Sequence, residues 1–246
     1  MMRRVGILGG MGPEATILVM QKVLQAVRAA DDSDHVPLIV DQNTQVPSRI
    51  RHLVERTGAD PAPVLADMAR RLVFGGAEAL AMPCNTAHYY APAIRAAVAV
   101  PFLDMIELAC DRAGSLAGPG ARIGILASPA VRKVGLFEQQ LAARGLTAVY
   151  ADDEPALLAA IRRIKAEGPN EAVRETLRAA SAALMALDCN VQMIACTEFS
   201  LIADAVADGA IAFDTLDCLV EEIVAFAAKD PKTAGATTSE RLQNKS

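Results

Sequence analysis

Short apolar runs alternate along the chain with longer segments whose apolar residues recur every three or four positions. The runs VGIL (5–8), VPLIV (36–40), EALAM (78–82), RIGIL (122–126), LTAVY (146–150), NVQMI (190–194) and AIAF (210–213) are near-continuous, the pattern of parallel strands buried on both faces. Between them, segments such as PAPVLADMARRLVFGGA (61–77) carry helical spacing, and Gly75–Gly76 gives that segment its stop. Strands and helices in alternation predict parallel sheets covered by helices.

The pattern also repeats. VGILGG (5–10) resembles IGILAS (123–128), and EALAMPCNTAH (78–88) resembles VQMIACTEFS (191–200), at comparable spacings in the two halves. The expectation is an α/β fold of two pseudo-symmetric lobes, each a mainly parallel sheet flanked by helices, with the functional site in the cleft between them. The first lobe spans 1–105 and the second 106–213. Their division is expected within 101–120, where Pro101, Gly114, Gly118, Pro119 and Gly120 punctuate the chain. A helix over 214–229 is expected to pack back on the first lobe. The polar stretch 230–246 lacks periodicity and reads as a flexible tail.

Composition narrows the function classes. With 246 residues, 52% of them hydrophobic, the chain can bury a large core. A net charge of −5 with no stripe of Lys and Arg argues against a nucleic-acid partner. No apolar run approaches the ~18–20 residues of a membrane span, and Arg3–Arg4 precede a short strand and glycines rather than a secretion signal. The five cysteines (84, 110, 189, 196, 218) form no CxxC pair, which suits reduced thiols in a cytoplasm.

Two of those cysteines stand out by position. Cys84 and Cys196 each fall where a strand ends and a polar, helix-starting run begins, the edge at which open α/β sheets bind ligands. Asn85 or Thr86 is expected to cap the helix after the first, and Thr197 the helix after the second. Helix N-termini there are expected to lower the thiol pKa values. Cys110 and Cys218 sit on amphipathic segments and Cys189 precedes a strand, so these three read as core residues. Two opposed thiols can remove a proton from one face of a carbon and return one to the other. They do not complete a four-ligand metal set, and His88 reads as a residue that orients a neighbour or satisfies a polar contact.

Two other stretches bear on a ligand. Gly10, Gly12 and Ala15 fit G-x-G-x-x-A between a strand and a helix, the form of a dinucleotide turn, with Pro13 at the first helical position. Asp41, which ends the next strand, lies farther along than a ribose-binding acid should, and such glycines equally serve close approach to any small ligand. DQNTQVPSRIRH (41–52) is dense with polar donors, among which Arg49 could clamp a carboxylate. Lys165 by itself reads as a helix-surface lysine.

Taken in order, GGMGPEAT (9–16), DQNTQVPSR (41–49), MPCNTAHY (82–89) and ACTEFSL (195–201) resemble the cofactor-independent aspartate/glutamate racemase superfamily, and most closely its aspartate-racemase branch. The resemblance covers about residues 4–228. It implies a homodimer with no cofactor and a small dicarboxylic amino acid as substrate. It implies Cys84 and Cys196 as the acid/base thiols, Cys84 for the D-enantiomer and Cys196 for the L-enantiomer. It further implies a substrate-binding set of Met11, Gly12, Arg49, Asn85, Thr86, Ser128, Lys165, Thr197 and Glu198. ASPAVRKVGLF (127–137) departs from the branch's threonine-rich stretch, with Val131, Val134 and Phe137 in place of hydroxyl-bearing residues. A ligand contact or a helix cap is expected to be lost there. Hydantoin racemases and maleate isomerases also keep two cysteines; Arg49 and Lys165 favour a dicarboxylate over a hydantoin.

Overall fold

The computed structural model describes residues 2–228, and its strands form two four-stranded parallel sheets of the same topology. In the first, β1 (Val5–Gly9) lies between β2 (Leu38–Gln42) and β3 (Ala79–Ala81), with β4 (Phe102–Leu103) at the edge, in the order β2-β1-β3-β4. In the second, β5 (Arg122–Ala127) lies between β6 (Thr147–Tyr150) and β7 (Val191–Ala195), with β8 (Ile211–Asp214) outermost, in the order β6-β5-β7-β8. Every residue of β1, β3 and β7 is buried, which is why these strands read as unbroken apolar runs. The run at 36–40 enters its ladder two residues late. Pro37 has no N–H to contribute and instead accepts from Val5 N at 3.1 Å.

Helices cover both faces of each sheet. On one face of the first lie α1 (Pro13–Ala26) and α9 (Thr215–Ala228), which bury Val19, Val23, Leu216, Leu219 and Ile223 against Val5 and Ile7. On its other face α2 (Ala62–Phe74) and α3 (Ala91–Ala97) enclose Leu65, Met68, Leu72 and Ile94. The second sheet carries α7 (Glu154–Glu167) and α8 (Glu171–Met185) on one side. On the other it carries α4 (Met105–Leu116), α5 (Pro129–Val134) and α6 (Glu138–Ala142). The C-terminal helix α9 is therefore packed against the first sheet. The Arg3 guanidinium fixes its end, stacking 3.5 Å from the Phe226 ring and donating to the Phe226 carbonyl. Lys22 of α1 pairs with Asp217 at 2.5 Å.

The stretch 101–120, between the last strand of the first sheet and the first strand of the second, contains α4. Asp104 caps α4 by accepting from Ile106 N and Glu107 N, and Gly114 lies inside the helix it starts. Helix α4 is two-sided: Met105 belongs to the first lobe's core, and Ile106, Ala109, Cys110 and Ala113 belong to the second's. Helix α4 thus packs on both lobes where the chain passes from one to the other. The tail expected at 230–246 lies outside the described residues. Among the described residues no helix is long and apolar enough to cross a membrane.

Candidate active site

The strands of both sheets end at one cavity of about 570 Å³. The first lobe supplies Gly10, Met11 and Gly12 after β1, Thr44, Val46 and Ser48 to Arg51 after β2, and Cys84 and Thr86 after β3. The second supplies Ser128 after β5, Ile161, Arg162 and Lys165 from α7, and Cys196 and Glu198 after β7. A larger groove of about 690 Å³ lies between α7 and α8, but its wall is mostly alanine and lacks both strand-end cysteines.

The glycine turn is shaped by Thr16, whose Oγ1 accepts from Gly10 N at 2.8 Å and donates to Gly12 O at 3.3 Å. Gly10 sits at φ +89°, and a Cβ there would fall 2.3 Å from the Asn43 carbonyl carbon. That contact lets the loop after β2 close against the turn. A Cβ on Gly12 would lie 3.5 Å from Lys165 Nζ and 3.7 Å from Glu198 Oε1, so this backbone crosses directly beneath the second lobe's charged pair. The glycines serve close approach, as they do in nucleotide sites. Asp41, however, is turned away to Arg71, at 3.1 and 2.7 Å.

Cys84 and Cys196 are each 7% exposed and open into the same cavity. The chain after Cys84 starts as a 3₁₀ segment, Thr86–Tyr90, that runs directly into α3, and the chain after Cys196 is a 3₁₀ segment, Phe199–Ala205, kinked at Ile202. Neither Asn85 nor Thr197 acts as a side-chain cap; the residues at the cap positions are Asn85 and Glu198, and neither makes that bond. The segment after Cys196 is kinked at Ile202 and supplies little dipole, so the expected lowering of that thiol's pKa loses its physical basis. For Cys196 the shift runs the other way. Burial and the neighbouring Glu198 carboxylate push its thiol well above the ordinary value, with Lys165 opposing. Cys196 Sγ donates to Glu198 Oε2 at 3.0 Å, and Glu198 Oε1 pairs with Lys165 Nζ. Burial acts to lower the Lys165 pKa, but Glu198 prevails and raises it, which keeps the ammonium charged.

Cys84 is positioned through its backbone. His88 Nε2 accepts from Met105 N at 3.1 Å, which leaves Nδ1 protonated to donate to the Cys84 carbonyl at 2.9 Å. Burial lowers the His88 pKa and favours this neutral form. His88 therefore orients its neighbour, as its place in the sequence suggested.

The remaining expected residues divide into those that line the cavity and those beside it. Met11, Gly12, Arg49, Thr86, Ser128, Lys165 and Glu198 line it with the two cysteines. Arg49 is half-buried, anchored by bonds from Nη1 to the Val46 and Pro47 carbonyls. Thr86 Oγ1 and Ser128 Oγ meet at 3.2 Å across the lobes. Asn85 and Thr197 are buried behind the wall: Asn85 Nδ2 donates to Thr215 Oγ1, which donates to Ile194 O. The departure at 127–137 turns inward, with Val131 and Phe137 fully buried in the second lobe's core. Ser128 makes no helix-capping bond there.

The sequence reading missed Thr44, Ser48, Arg51, Glu55 and Arg162 on the cavity wall. Arg162 was within reach of it, since it precedes Lys165 by three residues and so shares its helical face. Arg162 also pairs with Glu55 at 3.4 Å from across the cleft. The lining holds four cations (Arg49, Arg51, Arg162, Lys165) against two carboxylates (Glu55, Glu198), so an anionic ligand is favoured inside a chain of net negative charge.

Comparison with known proteins agrees with this geometry. The model of the Asp/Glu/hydantoin racemase family matches residues 8–223. The chain is similar to a broad specificity amino-acid racemase from Bacillus subtilis (strain 168), with 24% identity over 228 residues that span 89% of this chain and 96% of that one. Its fold is similar to that of Picrophilus torridus aspartate racemase, at a TM-score of 0.82 and 24% identity, covering 93% of this chain and 95% of that one. It is also similar to glutamate racemase from Francisella tularensis in complex with D-glutamate, at a TM-score of 0.63 and 14% identity over 91% and 80% of the two chains. With two matching α/β lobes, a cysteine from each at one cavity and a family match across most of its length, the chain belongs to the Asp/Glu/hydantoin racemase family of isomerases.

Proposed function

We propose that the protein racemises an acidic amino acid, aspartate before glutamate, by passing the α-proton between Cys84 and Cys196. The observation that carries this reading is the meeting of two thiols, from equivalent strand ends of two matched lobes, in one cavity with a positively charged wall. A thiolate on one side of the α-carbon takes the proton and leaves the electron pair in a planar carbanion conjugated with the α-carboxylate. The thiol opposite delivers its proton to the other face. The product is the mirror image, and the two sulfurs have exchanged roles, so the pair titrates as a coupled unit.

Acid–base transfer of this kind contributes ~10²–10⁴-fold, and stabilisation of the carbanion must supply much of the rest. Thr86 and Ser128, which line the cavity between the two cysteines, are the donors for that charge. Arg49 from one lobe and Lys165 from the other each offer a cation to a substrate carboxylate, which supports a dicarboxylate. The scheme uses no cofactor. We further infer a homodimer, supported by the uncharged, exposed face of α1 at Ile17, Met20 and Leu24 and testable by sedimentation.

Incubation with a panel of single-enantiomer amino acids, followed by chiral chromatography, tests the substrate. Aspartate or glutamate is expected to racemise fastest. Turnover of a hydantoin or of maleate instead would move the chain to another branch of its family. Cys84→Ala and Cys196→Ala are each expected to abolish activity, and full activity in either would overturn the two-thiol scheme.

A further inference from the structure

The two thiols occupy equivalent positions but not equivalent surroundings. Cys196 Sγ donates to Glu198 Oε2 at 3.0 Å, whereas Cys84 Sγ makes no hydrogen bond among the described residues. The Glu198 side chain is 12% exposed and its second oxygen is held by Lys165, so the carboxylate is fixed as an acceptor facing Cys196. We propose that Glu198 is a positioning residue that keeps the proton on Cys196 in the resting enzyme, leaving Cys84 as the base that opens the reaction.

The chemistry follows from charge. Ionising Cys196 would set a thiolate against a carboxylate across 3.0 Å of half-buried space, and would break the S–H···O bond that now satisfies both groups. No hydrogen bond joins Cys84 Sγ to a carboxylate among the described residues. The charged groups that act on Cys196 are Glu198 in its own loop and Lys165 of α7, with Cys84 in the same cavity; Arg49, Arg51, Arg162 and Glu55 also line it. Of these, Glu198 favours the thiol and Lys165 the thiolate. Glu198 is in direct contact with the sulfur and outweighs Lys165, whose ammonium is held on the other carboxylate oxygen. After one turnover Cys84 holds the proton and Cys196 faces Glu198 as a thiolate. That state is the less stable of the two free-enzyme forms.

This inference rests on the same cavity as the proposed function, but its test requires no turnover. Full-length protein is treated with iodoacetamide at low conversion across a range of pH, and alkylation of each cysteine is followed by peptide mass spectrometry. The thiolate is the reactive species. Cys84 is expected to react at least about tenfold faster than Cys196 near pH 8. Glu198→Gln is expected to move the Cys196 profile to lower pH by roughly one unit, about tenfold in rate below the midpoint. Lys165→Met leaves the carboxylate unopposed and is expected to move the same profile to higher pH. Opposite signs from two variants of one ion pair cannot come from general loosening of the site. Equal reactivity of the two native cysteines, or displacement of the Cys196 profile in the same direction by both variants, would overturn the proposal. Should Glu198→Gln fail to fold, the native ratio and the Lys165→Met shift decide it.

Discussion

Thr215 ties the two halves of the site together, and its replacement by valine puts a number on that tie. The residue is fully buried; its hydroxyl accepts from Asn85 Nδ2 at 3.0 Å and donates to Ile194 O at 3.1 Å. Asn85 directly follows Cys84, and Ile194 lies two residues before Cys196. One oxygen therefore links both strand ends that present a thiol. Valine keeps the shape and removes the bonds. A buried donor left without a partner costs about 1–3 kcal/mol, and a carbonyl that loses one of two acceptor sites costs less. Asn85 Oδ1 already has no partner, so the side chain has no easy rearrangement that recovers the lost bond. The expected destabilisation is thus about 2–3 kcal/mol in urea unfolding. Activity is expected to fall further than stability implies, because ~1 Å of misplacement at a reacting centre can cost ~10²-fold. A drop of roughly tenfold to a hundredfold in kcat with a smaller change in KM is expected, and Thr215→Ser should restore both. A valine variant with native kcat and a loss below about 0.5 kcal/mol would refute the role given to this hydroxyl.

Two further predictions concern stability. Burial, only partly offset by bonds from Leu216 N and Ser200 and by Lys22, pushes the Asp214 carboxyl up to about 6 from 3.8. The folded state thus favours the protonated acid: that stabilisation is complete below pH 3.8 and is lost as pH rises through about 6. Relative to Asp214→Asn, the native protein is expected to lose roughly 2 kcal/mol between pH 4 and pH 7, and a difference that stays flat with pH would contradict this. Gly10→Ala meets both a φ of +89° and the Asn43 backbone at 2.3 Å, whereas Gly120→Ala meets a φ of +79° and open space. The second should cost about 1 kcal/mol by thermal melting and the first several times that; similar costs would mean the loop after β2 yields freely.

Much of this was legible because burial writes itself into composition. Strands covered on both faces leave continuous apolar runs, so seven of the eight were placed from sequence; β4 is two residues long and gives no period to read. The internal repeat exposed the paired cysteines, since equivalent strand ends carry equivalent chemistry. What stayed hidden depends on neighbours distant in sequence. Gly114 looked like punctuation, but Asp104 starts a helix that runs through it. The turns after the cysteines looked like α-helix starts, yet they begin as 3₁₀ segments, and the polarity of the Cys196 environment is set by Glu198 and by Lys165, which is brought in from α7. Asn85 and Thr197 carry the right chemistry but lie behind the wall, a distinction that only packing decides.

The most direct test of proton transfer between two thiols is the position of the label in the first turnover. A single enantiomer of aspartate is incubated in deuterated water, the reaction is stopped at low conversion, and the two enantiomers are separated and analysed by mass. With Cys84 and Cys196 acting from opposite faces, the product is expected to carry deuterium at its α-carbon while the recovered substrate remains unlabelled. Equal labelling of recovered substrate and product would show that one base serves both faces, and would contradict the account.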